Sequence, residues 1–226
     1  MLCAATMMSM VVSCDSNESK TAQFEKVAAE YKATLDQSNT IIAERIDTIV
    51  QKVFYLDPNQ EDYGTNPINN IVMHDYATNE TKSLLPETER LNDYLLWGEL
   101  VEDAEEPSFN HCYSMDYRGS ELMGDRLFFV IHTECSFEME TALLFYVNVL
   151  DNSLHFVAIC DDAKFDKEKG EIAVHTELMK MAGAEDLELN YTLSASLSDA
   201  EYAAIREEKE EIANQMSEKW REENCE

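Results

Sequence analysis

Between residues 124 and 177 the chain passes through four apolar runs parted by short polar breaks: DRLFFVIHTE, TALLFYVNVLD, SLHFVAICDDAKFD and EIAVHTELM. Runs this rich in Val, Ile, Leu, Phe and Tyr predict an antiparallel meander with strands over 126–133, 143–150, 154–161 and 171–175. In the first strand Leu127, Phe129 and Ile131 alternate with Phe128 and Val130. Both faces are therefore apolar, which places the strand in the middle of a covered sheet. Upstream, 70–76 and 81–85 flank Thr78-Asn79-Glu80 and read as a hairpin closed by Pro86. A second unit of the same kind is 144–150, the turn Asp151-Asn152, then 154–158. Leu187, Leu189, Tyr191 and Leu193 alternate with polar residues, as in one further half-buried strand.

The period changes to three and four at both ends. Phe24, Ala28, Tyr31, Leu35, Ile42, Ile46, Ile49 and Val53 recur at those steps or their sums, with no Pro or Gly between them. The pattern predicts an amphipathic helix over 24–54 packed on the sheet, or two helices with a break near Asn39. A coiled-coil stalk is disfavoured because Ser38, Arg45 and Lys52 fall on its seam. The last element is a helix over 199–223. Ser198 and Glu201 form a capping box, Leu197 and Tyr202 stand where a hydrophobic staple needs them, and Ile205, Ile212, Met216 and Trp220 line one face. The fold class is α+β: an antiparallel meander of about five to seven strands within 68–195, flanked by a long N-terminal and a C-terminal helix, all one domain over 24–226.

Charge narrows the partners. The 226 residues carry 46 acids against 17 Lys and Arg, a net charge of −29. Such a field repels nucleic acid and anionic headgroups and attracts cations or basic partners. Glu99, Glu102, Asp103, Glu105 and Glu106 put five acids into eight positions before Pro107. A loop there is the candidate contact for a basic protein or glycan, beside 91–97, which reads as a short helix or an extra strand. Asp57, Glu61 and Asp62 lack calcium-loop spacing, because Asp62 stands where a glycine is required.

Catalytic motifs are sparse. Six glycines supply neither a phosphate loop nor a Gly-x-Ser-x-Gly elbow. His132 with Cys135, and His155 with Cys160, are spaced onto opposite faces of a strand, so neither pair chelates one ion. His74, His111 and His175 add no ligand spacing. Glu134, Glu138 and Glu140 are indistinguishable from the acidic background. Cys112, Cys135, Cys160 and Cys225 allow three disulfide pairings. No cofactor and no metal is expected.

The first residues read MLCAATMMSMVVSCDSNES. A short apolar run closed by small residues has the form of a secretory signal and is too short to span a bilayer. Val11-Val12-Ser13-Cys14 resembles the lipobox of bacterial lipoproteins, although no Lys or Arg precedes the apolar run. The resemblance implies a signal peptide over 1–13, acylation of Cys14, a linker over 14–23, and a lipid anchor in the cell envelope at the outer membrane, facing the periplasm or the surface. Asp15 and Glu18 are similar to surface-export signals of some gut-bacterial lipoproteins. The phrases VMHDYATNETKSLLP and FDKEKGEIAV resemble pieces of β-propeller blades. Two such units are fewer than the about four blades that closure requires, so they imply a meander. The expected function is a non-catalytic binding or scaffolding module of the envelope; the alternative is an envelope hydrolase using acidic residues.

Overall fold

The computed structural model describes residues 17–57, 70–84, 112–135, 139–179 and 187–224. The predicted signal peptide, Cys14, the acids at 99–106, the loop acids Glu61 and Asp62, the segment 91–97, His111, Glu138 and Cys225 lie outside the described residues.

The apolar meander is the centre. Strands β5 (Cys112–Met123), β6 (Arg126–Cys135), β7 (Met139–Asn148) and β8 (Leu154–Cys160) form an antiparallel sheet in that order. The register sets Phe129 opposite Phe145, Leu127 opposite Val147, and Cys112 opposite Cys135. Both faces of β6 and β7 are buried, as the alternation predicts. Leu127, Phe129, Ile131, Phe145 and Val147 face a first core. Phe128, Val130, Leu144 and Tyr146 face a second. Each such side chain contributes roughly 1.5–3 kcal/mol by leaving water.

Two further sheets cover these faces. β1 (Thr40–Ile46), β2 (Gln51–Asp57), β3 (Asn70–Asp75) and β4 (Glu80–Ser83) form the first, in sequence order. Phe54, Leu56, Ile71 and Met73 bring it against the first core. The second comprises β9 (Asp162–Asp166), β10 (Glu171–Met179) and β11 (Leu187–Ser194), with β10 in the middle. Ile172, Val174 and Leu193, with Tyr202 of helix α2 (Asp199–Asn224), close the second core. Helix α1 (Asn17–Lys32) lies on the far side of the first sheet, where Ala28 meets Val53, Tyr55, Val72 and Tyr76. The order of layers is α1, sheet, central sheet, then third sheet with α2. The class is α+β.

The N-terminal expectations need correction. The helix begins at Asn17, inside the span expected to be linker, and ends at Lys32. Residues 40–57 are a β-hairpin, not the continuation of a helix to 54. Short polar side chains decide both breaks by capturing backbone groups that a helix would need. The Ser38 amide donates to Asp36 Oδ1 (3.0 Å) and the Asp36 amide to Asn39 Oδ1 (2.8 Å), which fixes a turn. Asp47 then accepts from the amides of Ile49 (2.6 Å) and Val50 (2.7 Å) and makes the hairpin bend. Between these turns Thr40, Ile41, Ile42 and Ile46, and after the second Val50 and Val53, are β-branched and favour pleated strands. The described residues thus hold eleven strands, beyond the five to seven expected; β9 was also hidden in the tail of the run that forms β8.

The C-terminal helix starts as predicted. The Ser198 amide and hydroxyl both donate to Glu201 Oε2 at 2.7 Å, and the Glu201 amide donates back to Ser198 Oγ at 3.4 Å. Arg126 locks this corner: its Nη1 donates to Ala195 O (2.9 Å) and to Leu197 O, and its guanidinium lies 4.7 Å from the centroid of Tyr146.

Candidate functional site

Where the first turns of α2 pass over β8 they leave a cleft of about 620 Å³, with the end of β4 as its third side. The β7–β8 turn supplies Asn152 and Ser153, β8 supplies Leu154, His155 and Phe156, α2 supplies Asp199, Ala203 and Arg206, and Lys82 and Leu84 complete the wall. Asn152 holds the turn with φ at 64°, a conformation that asparagine tolerates better than most residues. Buried Lys52 reaches across from the first sheet and donates to Val149 O (2.9 Å) and Asn152 Oδ1 (2.7 Å). The turn is therefore fixed from below.

Ser153 and His155 are two apart, which puts both side chains on one side of the extended chain. His155 Nε2 lies 2.6 Å from Ser153 Oγ, and His155 Nδ1 lies 2.9 Å from Asp199 Oδ2. The Tyr146 hydroxyl donates to the other oxygen of Asp199 at 2.5 Å, and the Tyr146 ring stacks on the imidazole at 4.4 Å and 11°. Burial first, then the adjoining carboxylate, pushes the Tyr146 phenol up, so it remains a donor. Asp199, His155 and Ser153 thus stand in the order of a carboxylate–imidazole–hydroxyl relay, with ring nitrogens facing the atoms such a relay needs.

One further contact decides what that chain does. Ser153 Oγ also donates to Asp151 Oδ1 at 2.6 Å, and the Ser153 amide donates to the same oxygen at 2.9 Å. These two bonds, the hydroxyl's first, hold the Asp151 carboxyl below its ordinary range. A serine hydroxyl has one proton. A carboxylate accepts it more strongly than an imidazole does, at equal distance. The proton therefore goes to Asp151, and the 2.6 Å contact between Ser153 Oγ and His155 Nε2 is not a donation from the serine. That arrangement orders the turn and engages the hydroxyl with a carboxylate.

A second polar cluster sits between α1 and the first sheet. His74 is buried, stacked on Tyr31 at 3.5 Å and 6°, with Nδ1 2.8 Å from Thr81 Oγ1 and Nε2 without a hydrogen-bond partner. Burial lowers its pKa against the opposing charge of Asp75. The Tyr31 and Tyr55 hydroxyls are 3.0 Å apart, and the Tyr76 hydroxyl and Lys32 both donate to Glu44 (2.6 and 2.8 Å). The cluster clamps the helix to the sheet.

Cys160 is buried and unpaired. Among the described residues no three His, Cys, Asp or Glu side chains come together as a metal site. No helix among them is long and apolar enough to cross a membrane. The expected contact acids Glu99, Glu102, Asp103, Glu105 and Glu106, and the expected lipidation site Cys14, fall outside the described residues. No family model matches the chain, and neither a curated protein nor a solved structure matches it.

Proposed function

We propose that the protein is a lipid-anchored cell-envelope protein whose cleft between β8 and α2 binds a ligand and does not turn it over. The anchor rests on Val11-Val12-Ser13-Cys14 and its apolar approach. The non-catalytic reading is carried by one observation: Asp151 Oδ1 stands 2.6 Å from Ser153 Oγ and holds the proton that a nucleophilic serine must give to its base. The same chain of contacts favours one alternative, a hydrolase that uses Ser153 as nucleophile with His155 and Asp199 behind it. Glu99, Glu102, Asp103, Glu105 and Glu106 are the proposed contact of the same module with a basic protein or glycan.

Purified protein and Ser153→Ala, assayed on activated esters and on envelope peptides and glycans, are expected to give no turnover. Hydrolysis by the wild type that disappears in Ser153→Ala would establish the alternative. For the anchor, full-length protein from a bacterial host is expected in the detergent phase and Cys14→Ser in the aqueous phase; equal recovery of both in water would remove the lipid from the proposal.

A further inference from the structure

We propose that the cleft takes a small polar ligand bearing one anionic group, a carboxylate or a phosphate monoester, held by Lys82 and Arg206. This rests on the reading of the cleft as a binding site and assigns the chemistry of what enters it. The chain carries 46 acidic residues against 17 basic ones, so two basic side chains on one cleft run against its overall composition. Neither forms an ion pair with a described residue. Glu207 and Glu210 share the helix of Arg206 and lie in its electrostatic field without pairing to it.

The acid in the cleft is engaged by its neighbours, and neither cation has an anionic partner among the described residues. Asp199 has one oxygen taken by the Tyr146 hydroxyl and the other by His155 Nδ1. Arg206 is fixed in place: Nη1 donates to Phe156 O (3.1 Å) and Val157 O (3.2 Å), and the guanidinium lies 4.6 Å from the centroid of Phe156. That leaves Nε and Nη2 to donate, the edge of the guanidinium that grips carboxylates and phosphates in bidentate fashion. Asn152 is oriented as well. Its Oδ1 is committed to Lys52, so its amide nitrogen is the group left to donate. Lys82 adds an exposed cation from β4, while Leu154 and Phe156 give an apolar side. A volume of about 620 Å³ suits a molecule of roughly monosaccharide size.

The test is isothermal titration of the full chain at low ionic strength with glucuronate, glucose 6-phosphate and glucose. One or both anions are expected to bind, at least about tenfold more tightly than glucose, and the preferred anion identifies carboxylate or phosphate as the natural group. Lys82→Gln, at an exposed position with no partner among the described residues, is expected to keep the wild-type melting temperature and weaken binding about tenfold, as loss of one charged hydrogen bond does. Arg206→Gln is expected to weaken it at least as much. If neither anion outbinds glucose, or if both variants bind as the wild type does, the proposal is wrong. Hydrolysis of a bound probe would overturn the non-catalytic reading instead and leave the assignment of an anionic ligand standing.

Discussion

Replacing Val147 with Asp puts a carboxyl group at the centre of the molecule. Val147 has no exposed surface, faces Leu127 on one neighbouring strand and Leu154 on the other, and belongs to the core between the first and central sheets. Losing the buried valine costs about 1.5 kcal/mol or more. The new carboxyl has no described partner and enters the core neutral; protonating it at pH 7 from an unfolded value of about 3.9 costs roughly 4 kcal/mol at about 1.36 kcal/mol per unit. Burying the neutral group without hydrogen bonds adds about 1–3 kcal/mol. The sum, about 7 kcal/mol, is comparable to the whole stability of an ordinary domain. Urea denaturation of wild type, Val147→Asp, Val147→Asn and Val147→Thr at several pH values reads this directly, the threonine variant being mild enough to stay folded. The folded-state pKa of the introduced acid is raised, so its penalty relative to Val147→Asn grows as pH rises above about 3.9 and shrinks as pH falls towards it. An aspartate variant within about 0.5 kcal/mol of the wild type at pH 7 would mean that β7 is not buried on this face.

Other consequences are smaller and separable. Ser198→Ala should cost about 1 kcal/mol in urea denaturation, and Glu201→Ala should also destabilise, the two together less than their sum, because one capping box is lost only once. Burial holds the His74 pKa below its ordinary 6.5; its contribution is present above about 6.5 and is lost as pH falls through the folded value, so wild type should lose stability from pH 7.0 to 5.5 faster than His74→Gln, and equal slopes would contradict the buried, neutral ring. The Cys160 thiol is pushed up to about 12, first by burial and then by Asp161 and Asp162. Iodoacetamide at pH 8 should therefore leave Cys160 unlabelled in native protein and label it in denaturant, as read by peptide mass mapping.

The parts of the fold that were legible in the sequence are those where one physical signal dominates. Phe128 and Val130 alternate with Leu127, Phe129 and Ile131 because both faces of β6 are covered, and no competing period exists there. The start of α2 was legible because Ser198 and Glu201 answer each other locally. Residues 24–54 misled because Ile42, Ile46, Ile49 and Val53 fall at helical steps by coincidence, while turns at Asp36 and Asp47 and a run of β-branched residues decide the structure. The cleft was only half legible. The Ser153-x-His155 spacing is visible in the chain, but Asp199 reads as an ordinary acid in the first turn of a helix, where it favours the dipole. Lys82 and Arg206 reach the cleft only through the packing of β4 and α2 around β8, a long-range result that no local pattern encodes.

The non-catalytic reading of the cleft requires that the Ser153 proton belong to Asp151 and not to His155. The direct measurement is the intact mass of the purified full chain after prolonged incubation with a fluorophosphonate, a reagent that phosphonylates activated serine hydroxyls and ignores ordinary ones. An unchanged mass is expected. A single adduct that maps to Ser153 and is absent from His155→Ala would contradict it and make the cleft an active site.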